Sequence, residues 1–225
     1  MGKIRYLKVS DINQAASYVA GQILNQLDTG RKVLWLIPGG SAMEVAVLAL
    51  RLISAKNYSG SLTVTLTDER YGPPDHQDSN WHQLKEKGIR PEAANMLPVL
   101  NGFNLINEAR NYGSMLNKEL GLADYSFALG GMGTDGHIFG IKPQSPAVDN
   151  QDDVCGYEWD DYQRLTPTAV FFSRIDEIIM YVMGSEKHGQ LQKLDSDIEP
   201  FNQPAQLLKR FKNVVIMNDW KGNNV

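Results

Sequence analysis

A single cysteine, four histidines and no apolar run of membrane-spanning length mark what this 225-residue chain has least of. Lone Cys155 excludes an intrachain disulfide and fits a reducing compartment. One Cys and four scattered His argue against a structural zinc site, so no metal is expected. The missing run of about 20 apolar residues argues against a transmembrane helix. Met1-Gly2-Lys3-Ile4-Arg5 leads into no apolar segment of the signal-peptide kind, and a cytoplasmic location is the expectation. Lys and Arg never run longer than two, and the net charge is −4. Nucleic acid and anionic membranes are therefore not expected as partners. The rest is ordinary for a globular chain, with 42% hydrophobic and 21% charged residues. That composition and length suit one domain over residues 1–225. There is no repeat, low-complexity tract or visible domain boundary.

Strand-like and helix-like patterns alternate along the chain. Ser10 is placed to cap a helix whose apolar face is Ile12, Ala15, Ala16, Val19, Ile23, Leu24 and Leu27, with Gly30 as its stop. Lys32 to Ile37 reads as a buried strand, Met43 to Ile53 as a helix, and Leu62 to Thr67 as the next strand. Ser79 caps a short helix through Lys87. Leu105 to Leu120 reads as helix, Tyr125 to Leu129 as strand and Glu177 to Met183 as strand. Helices over Ser185 to Leu194 and Pro204 to Arg210 precede a last strand, Val214 to Met217. This alternation predicts an α/β domain built on a mainly parallel sheet with helices on both faces. The longest irregular stretch, about Lys142 to Gln163, shows no strand pattern and reads as a lid or binding loop.

Four predicted strands end in chemically loaded turns. These are Pro38-Gly39-Gly40-Ser41, Thr67-Asp68-Glu69-Arg70, the loop Gly130 to His137, and Gly184-Ser185-Glu186-Lys187. In a parallel sheet such turns share the carboxyl edge, where ligands of open α/β sheets bind. Glycines there admit positive φ and close approach of a ligand to backbone. Backbone N–H groups, an Arg and a Lys suit an anion such as phosphate. Asp135 and His137 suit proton transfer near neutral pH. A phosphorylated small molecule handled by acid–base chemistry is the inference, with the substrate left open. Gly131, Gly133 and Gly136 also match the dinucleotide fingerprint literally. That fingerprint requires a helix directly after the glycines; here a proline, Pro143, arrives within seven residues, and no nucleotide cofactor is expected.

The chain resembles the 6-phosphogluconolactonase and glucosamine-6-phosphate isomerase/deaminase family from Val33 to Asp219. Gly131-Met132-Gly133-Thr134-Asp135-Gly136-His137 is similar to its most specific signature. Asp68-Glu69-Arg70 followed by Ser79-Asn80 resembles the lactonase branch; deaminases usually carry an aromatic residue for the Arg and Ser-Tyr for Ser-Asn. Arg164-Leu165-Thr166 and Gly184-Ser185-Glu186-Lys187 are similar to two later lactonase blocks, and the deaminases' Ser-Arg-Thr-Arg segment has no counterpart. The resemblance implies a modified Rossmann-like fold and hydrolysis of 6-phosphogluconolactone to 6-phosphogluconate in the pentose phosphate pathway. It implies His137 as the base that activates water and Asp135 as its orienting partner. Gly39, Gly40, Ser41, Asp68, Arg70, Arg164 and Lys187 would bind the phosphate and sugar chain. The ligand would be a phosphorylated sugar lactone, with no cofactor, in a monomer or small homo-oligomer. Two other functions share the fold: an amino-sugar-phosphate isomerase/deaminase and a non-catalytic sugar-phosphate-binding module.

The sequence also departs from the family. The first loop usually reads Ser-Gly-Gly-Ser/Thr-Thr-Pro, whereas Pro38-Gly39-Gly40-Ser41-Ala42-Met43 lacks two of those hydroxyls. After the histidine the lactonase pattern is roughly Thr-Ala-Ser-Leu-Phe-Pro. Here Ile138-Phe139-Gly140-Ile141-Lys142-Pro143 follows; Ile138 leans toward the deaminases, and Phe139 and Lys142 fit neither branch.

Plainer roles are expected elsewhere. Arg70 taken alone would pair with Glu69 or Asp68 on a solvated loop. Lys187 opens a predicted helix, where a cation is unfavourable unless an anion is near. His76, His82 and His188 read as surface residues, and Trp35 and Trp81 as packing. Asp152 and Asp153 would raise the Cys155 thiol pKa. Asp149, Asp152, Asp153, Glu158, Asp160 and Asp161 lack the regular spacing of a calcium loop and read as a solvated lid.

Overall fold

The computed structural model describes residues 3–54, 58, 60–89, 94–160 and 162–224. The chain forms β1 (Lys3–Lys8), α1 (Ile12–Leu27), β2 (Val33–Ile37), α2 (Met43–Ile53), β3 (Leu62–Leu66), β4 (Glu69–Arg70), α3 (Asn80–Glu86) and β5 (Asn95–Met96). It continues with α4 (Leu105–Leu122), β6 (Tyr125–Gly131), β7 (Val154–Glu158), β8 (Gln163–Pro167), α5 (Ala169–Phe172), β9 (Glu177–Val182), α6 (His188–Lys193), β10 (Asn213–Asn218) and β11 (Asn223–Asn224). Short 3-10 turns cover Gly40–Ala42, Ser185–Lys187 and Pro204–Arg210.

Eight strands make one sheet in the order β11-β1-β10-β9-β6-β2-β3-β5, with parallel pairing throughout. Every residue of β2 and β9 is buried. An apolar strand buried on both faces is what helices above and below a parallel sheet produce. The helices bring matching stripes: α1 buries Ala15, Ala16, Val19, Ala20, Ile23 and Leu27 at helical spacing. From β2 the chain steps to β3 on one side, and from β6 to β9 on the other. The crevice for a ligand therefore opens between the carboxyl ends of β2 and β6.

Several expectations need correction. The cap of α1 is Asp11, whose carboxylate accepts from the Asn13 and Gln14 N–H groups. Ser10 precedes it and is itself bonded by Gln14 Oε1. Ser79 does cap α3, accepting from the His82 N–H. The helix expected from Ser185 is split into a 3-10 turn and the short α6, and Pro204–Arg210 is a 3-10 turn. The larger correction lies between Lys142 and Gln163. This stretch is not a lid, because Val154–Glu158 is a strand that pairs antiparallel with β8. Together with β4 it forms a second, three-stranded sheet in the order β4-β8-β7. Asp149, Asp152, Glu158 and Asp160 are exposed as expected, but Val154, Cys155 and Tyr157 between them are buried; Asp161 lies outside the described residues. Burial, with Asp152 nearby, pushes the Cys155 thiol up to about 11. His188 is also not a free surface side chain: its Nε2 is 2.8 Å from Asp219 Oδ1, and its ring stacks on Trp220.

Candidate active site

The four loaded turns follow four neighbouring strands of the large sheet, β9, β6, β2 and β3. They enclose a cleft of about 320 Å³ at the carboxyl edge. Gly39, Gly40, Ser41, Asp68, Arg70, His137, Arg164 and Lys187 all line it. Asp135 stands behind His137, bonded to its ring. Thus the residues expected from the sequence to bind the ligand or move protons all line this one cleft or, for Asp135, contact a side chain that does.

The small sheet explains how two arginines meet there. In its antiparallel register Arg70 on β4 lies opposite Arg164 on β8. Like charges directly opposite each other are destabilising without a compensating group. The Tyr162 ring supplies part of that compensation, with the Arg70 guanidinium 4.4 Å from its centroid and Arg164 at 5.8 Å. An anion in the cleft would supply more. The Arg70 guanidinium does not pair with Glu69 and instead donates to the Asp78 carbonyl. The Glu69 carboxylate is fully buried and accepts from the N–H groups of Arg70, Asn80 and Trp81 and from the Ser79 hydroxyl. Burial pushes its carboxyl up, against the pull of those donors. It acts as a rivet between β4 and α3. His76 adds a bond from its ring to the Arg70 carbonyl, so this histidine also braces the cleft.

The first loop meets the cleft as backbone. Gly39–Ala42 turn into α2, and neither the 3-10 turn nor α2 has a side-chain cap. Uncapped N–H groups at a helix start are disposed to bind an anion. A Cβ on Gly39 would collide with the Asn80 side chain, which is buried and donates to the Asp68 carbonyl. Asn80 therefore forms cleft wall, a role that its place at the start of α3 did not reveal.

His137 sits on a tight loop closed by Gly133 N–H to the His137 carbonyl and Gly136 N–H to the Gly133 carbonyl. The loop is tied down by Gln190, which donates to the Thr134 carbonyl, and by the Ala205 N–H on the Gly136 carbonyl. Residues 132, 138 and 141 make isolated bridges where a dinucleotide fold would begin a helix. Asp135 Oδ1 is 2.6 Å from His137 Nδ1 and also accepts the His137 N–H. A carboxylate only accepts and an ammonium only donates; the 2.6 Å approach of Asp135 to Nδ1 is shorter than the 3.2 Å approach of Lys142, and it places the proton of the neutral ring on Nδ1 and leaves Nε2 its lone pair. Burial pushes the Asp135 carboxyl up; His137, its N–H and the Lys142 ammonium outweigh that and hold it well below the usual carboxylate range. Lys142 is the main site residue that sequence reading left aside. It lines the cleft and touches both members of the pair.

Gly133 packs against the Asp135–His137 pair. A Cβ there would overlap His137 Nδ1 and Asp135 Oδ1. Gly133→Ala is expected to displace the ring and lower kcat by about 10²-fold, the cost of misplacing a reacting group by roughly 1 Å. Its circular-dichroism spectrum should remain that of the wild type. A wild-type kcat would show that the ring position does not matter.

Fold and site together define an α/β domain with a cationic cleft at its switch point and an oriented histidine at the cleft wall. The chain belongs to the glucosamine-6-phosphate isomerase/6-phosphogluconolactonase family, whose model matches residues 9–217. A 6-phosphogluconolactonase of Caulobacter vibrioides is 26% identical over 209 residues, 87% of each chain. The structure of a 6-phosphogluconolactonase from Shewanella baltica superposes with a TM-score of 0.80 at 20% identity, covering 96% of this chain and 98% of that one. A monomeric glucosamine-6-phosphate deaminase superposes with a TM-score of 0.78 at 16% identity, over 95% and 97% of the two chains. The fold is thus common to both branches and does not choose between them. Among the described residues no helix is long and apolar enough to cross a membrane.

Proposed function

We propose that this protein hydrolyses 6-phosphogluconolactone to 6-phosphogluconate with His137 as general base. The observation that carries the reading is the Asp135-oriented imidazole in the same 320 Å³ cleft as Arg70, Arg164 and Lys187. An oriented base beside an anion-binding wall is what hydrolysis of a phosphorylated ester needs. The relatives named 6-phosphogluconolactonase favour the lactone over an amino sugar.

The steps follow from the tautomer. His137 Nε2 removes a proton from water as the water oxygen attacks the lactone carbonyl. The resulting imidazolium is held by the Asp135 carboxylate. When the tetrahedral intermediate collapses, the bond from the carbonyl carbon to the ring oxygen breaks. The imidazolium returns its proton to that oxygen, which leaves as a hydroxyl, and the acid product ionises in water. Arg70, Arg164, Lys187 and the N–H groups of the Gly39–Ser41 turn hold the phosphate and sugar chain, while Asp68 accepts from sugar hydroxyls.

The test is acid release from freshly generated 6-phosphogluconolactone, with ammonia release from glucosamine-6-phosphate followed in parallel. Acid without ammonia is expected. Ammonia would move the chain to the deaminase branch, and binding without turnover would make it a sugar-phosphate-binding module.

A further inference from the structure

The cleft contains a cation where the lactonase pattern has an apolar residue. Lys142 stands at the phenylalanine of Thr-Ala-Ser-Leu-Phe-Pro. Its Nζ lies 3.2 Å from Asp135 Oδ2 and 3.2 Å from His137 Nδ1, and its side chain is only 15% exposed. Asp135 thus gives one oxygen to the imidazole and the other to the ammonium.

The backbone holds the lysine in this place. Phe139 adopts a left-handed φ of +52°, and its carbonyl accepts from the Thr166 hydroxyl of β8. The Gly140 carbonyl accepts from the Tyr157 hydroxyl of β7. The Phe139 ring stacks on Phe172 and covers Gly130. The departure after His137 is therefore a built segment, braced by the small sheet, that ends by delivering Lys142 to the Asp135–His137 pair.

We propose that Lys142 is a positioning residue for the proton-transfer pair: its ammonium shares the Asp135 carboxylate with His137 and stands against Nδ1, so that its charge opposes that of the carboxylate at the imidazole. The physical reason is opposition of charges. A carboxylate beside a histidine favours the imidazolium, and a cation beside it disfavours the imidazolium. Asp68, Arg70, Arg164 and Lys187 also line the cleft that His137 faces, but Lys142 is in direct contact with the ring. The catalytic consequence rests on the reading of His137 as the base; the protonation effect does not.

The test is an NMR titration of the His137 ring in the free protein, its signal identified by its loss in H137A. Lys142→Met removes the charge and Lys142→Gln keeps a hydrogen-bond donor without it. Both are expected to raise the midpoint of His137 protonation by about 1 pH unit, and Lys142→Arg should restore it. The acid limb of kcat for lactone hydrolysis should move with the midpoint. An unchanged midpoint in both K142M and K142Q would overturn the proposal, whatever the activity. A shifted midpoint in a protein that fails to hydrolyse the lactone would leave Lys142 in this role and remove the proposed function instead.

Discussion

His137→Ala is expected to lose about 10²–10⁴ in kcat for lactone hydrolysis, the usual contribution of a positioned general base. The lactone also opens without a catalyst, so the background rate must be subtracted before the loss is read. Ligand binding should survive, because the residues proposed to hold the phosphate, Arg70, Arg164, Lys187 and the Gly39–Ser41 turn, line other parts of the cleft. Wild-type activity should fall as the solution is acidified, since only neutral imidazole accepts a proton. Asp135→Asn should cost less than loss of the base, because Asp135 contacts the ring through Nδ1. An amide there can still bond the ring but cannot stabilise an imidazolium by charge. If His137→Ala kept the wild-type kcat at neutral pH, the base would have to be a carboxylate such as Asp68.

Arg70→Ala or Lys187→Ala should raise KM for the phosphorylated substrate by about 10- to 150-fold. That range corresponds to about 1.5–3 kcal/mol for each charge-assisted hydrogen bond lost. Both side chains are half-buried in the cleft wall, where solvent screens them less than on an open surface. The two variants should differ in a second respect. Arg70 lies across from Arg164, over Tyr162, and donates to the Asp78 carbonyl, so its removal relieves a repulsion but also loses that bond. Calorimetry of the phosphorylated product against its dephosphorylated counterpart gives the direct reading. Equal affinity for the two would rule out phosphate as the main anchor.

Much of this site was legible because its information is local. Asp135 and His137 lie two residues apart on one glycine loop, and a strand ending in glycines already places them at a sheet edge. The turn after β2 and the cap of α3 are equally short-range signals, as is the buried stripe of α2, which runs over the expected Met43–Ile53. By itself the sequence determined the alternation of elements, the parallel sheet and the turns that carry chemistry. Periodicity records which face of an element is buried, and capping residues record where it starts.

The tertiary structure alone decided which side chains face one another. The strands β4, β7 and β8 read Glu-Arg, Val-Cys-Gly-Tyr-Glu and Gln-Arg-Leu-Thr-Pro, with no continuous apolar run of the kind that marks β2. Their pairing is set by distant partners, and it is this pairing that puts Arg164 across from Arg70. The same small sheet braces residues 139 and 140, and so decides that Lys142, which fits no pattern in the sequence, ends against His137 and Asp135. The Glu69 carboxylate, which in sequence belongs to an acidic turn, closes on α3 and on the Arg70 backbone N–H instead of on the Arg70 guanidinium. A charged side chain has no period that announces its partner. Its role depends on the charges and donors that folding brings within a few ångströms, and those come from segments far apart in the chain.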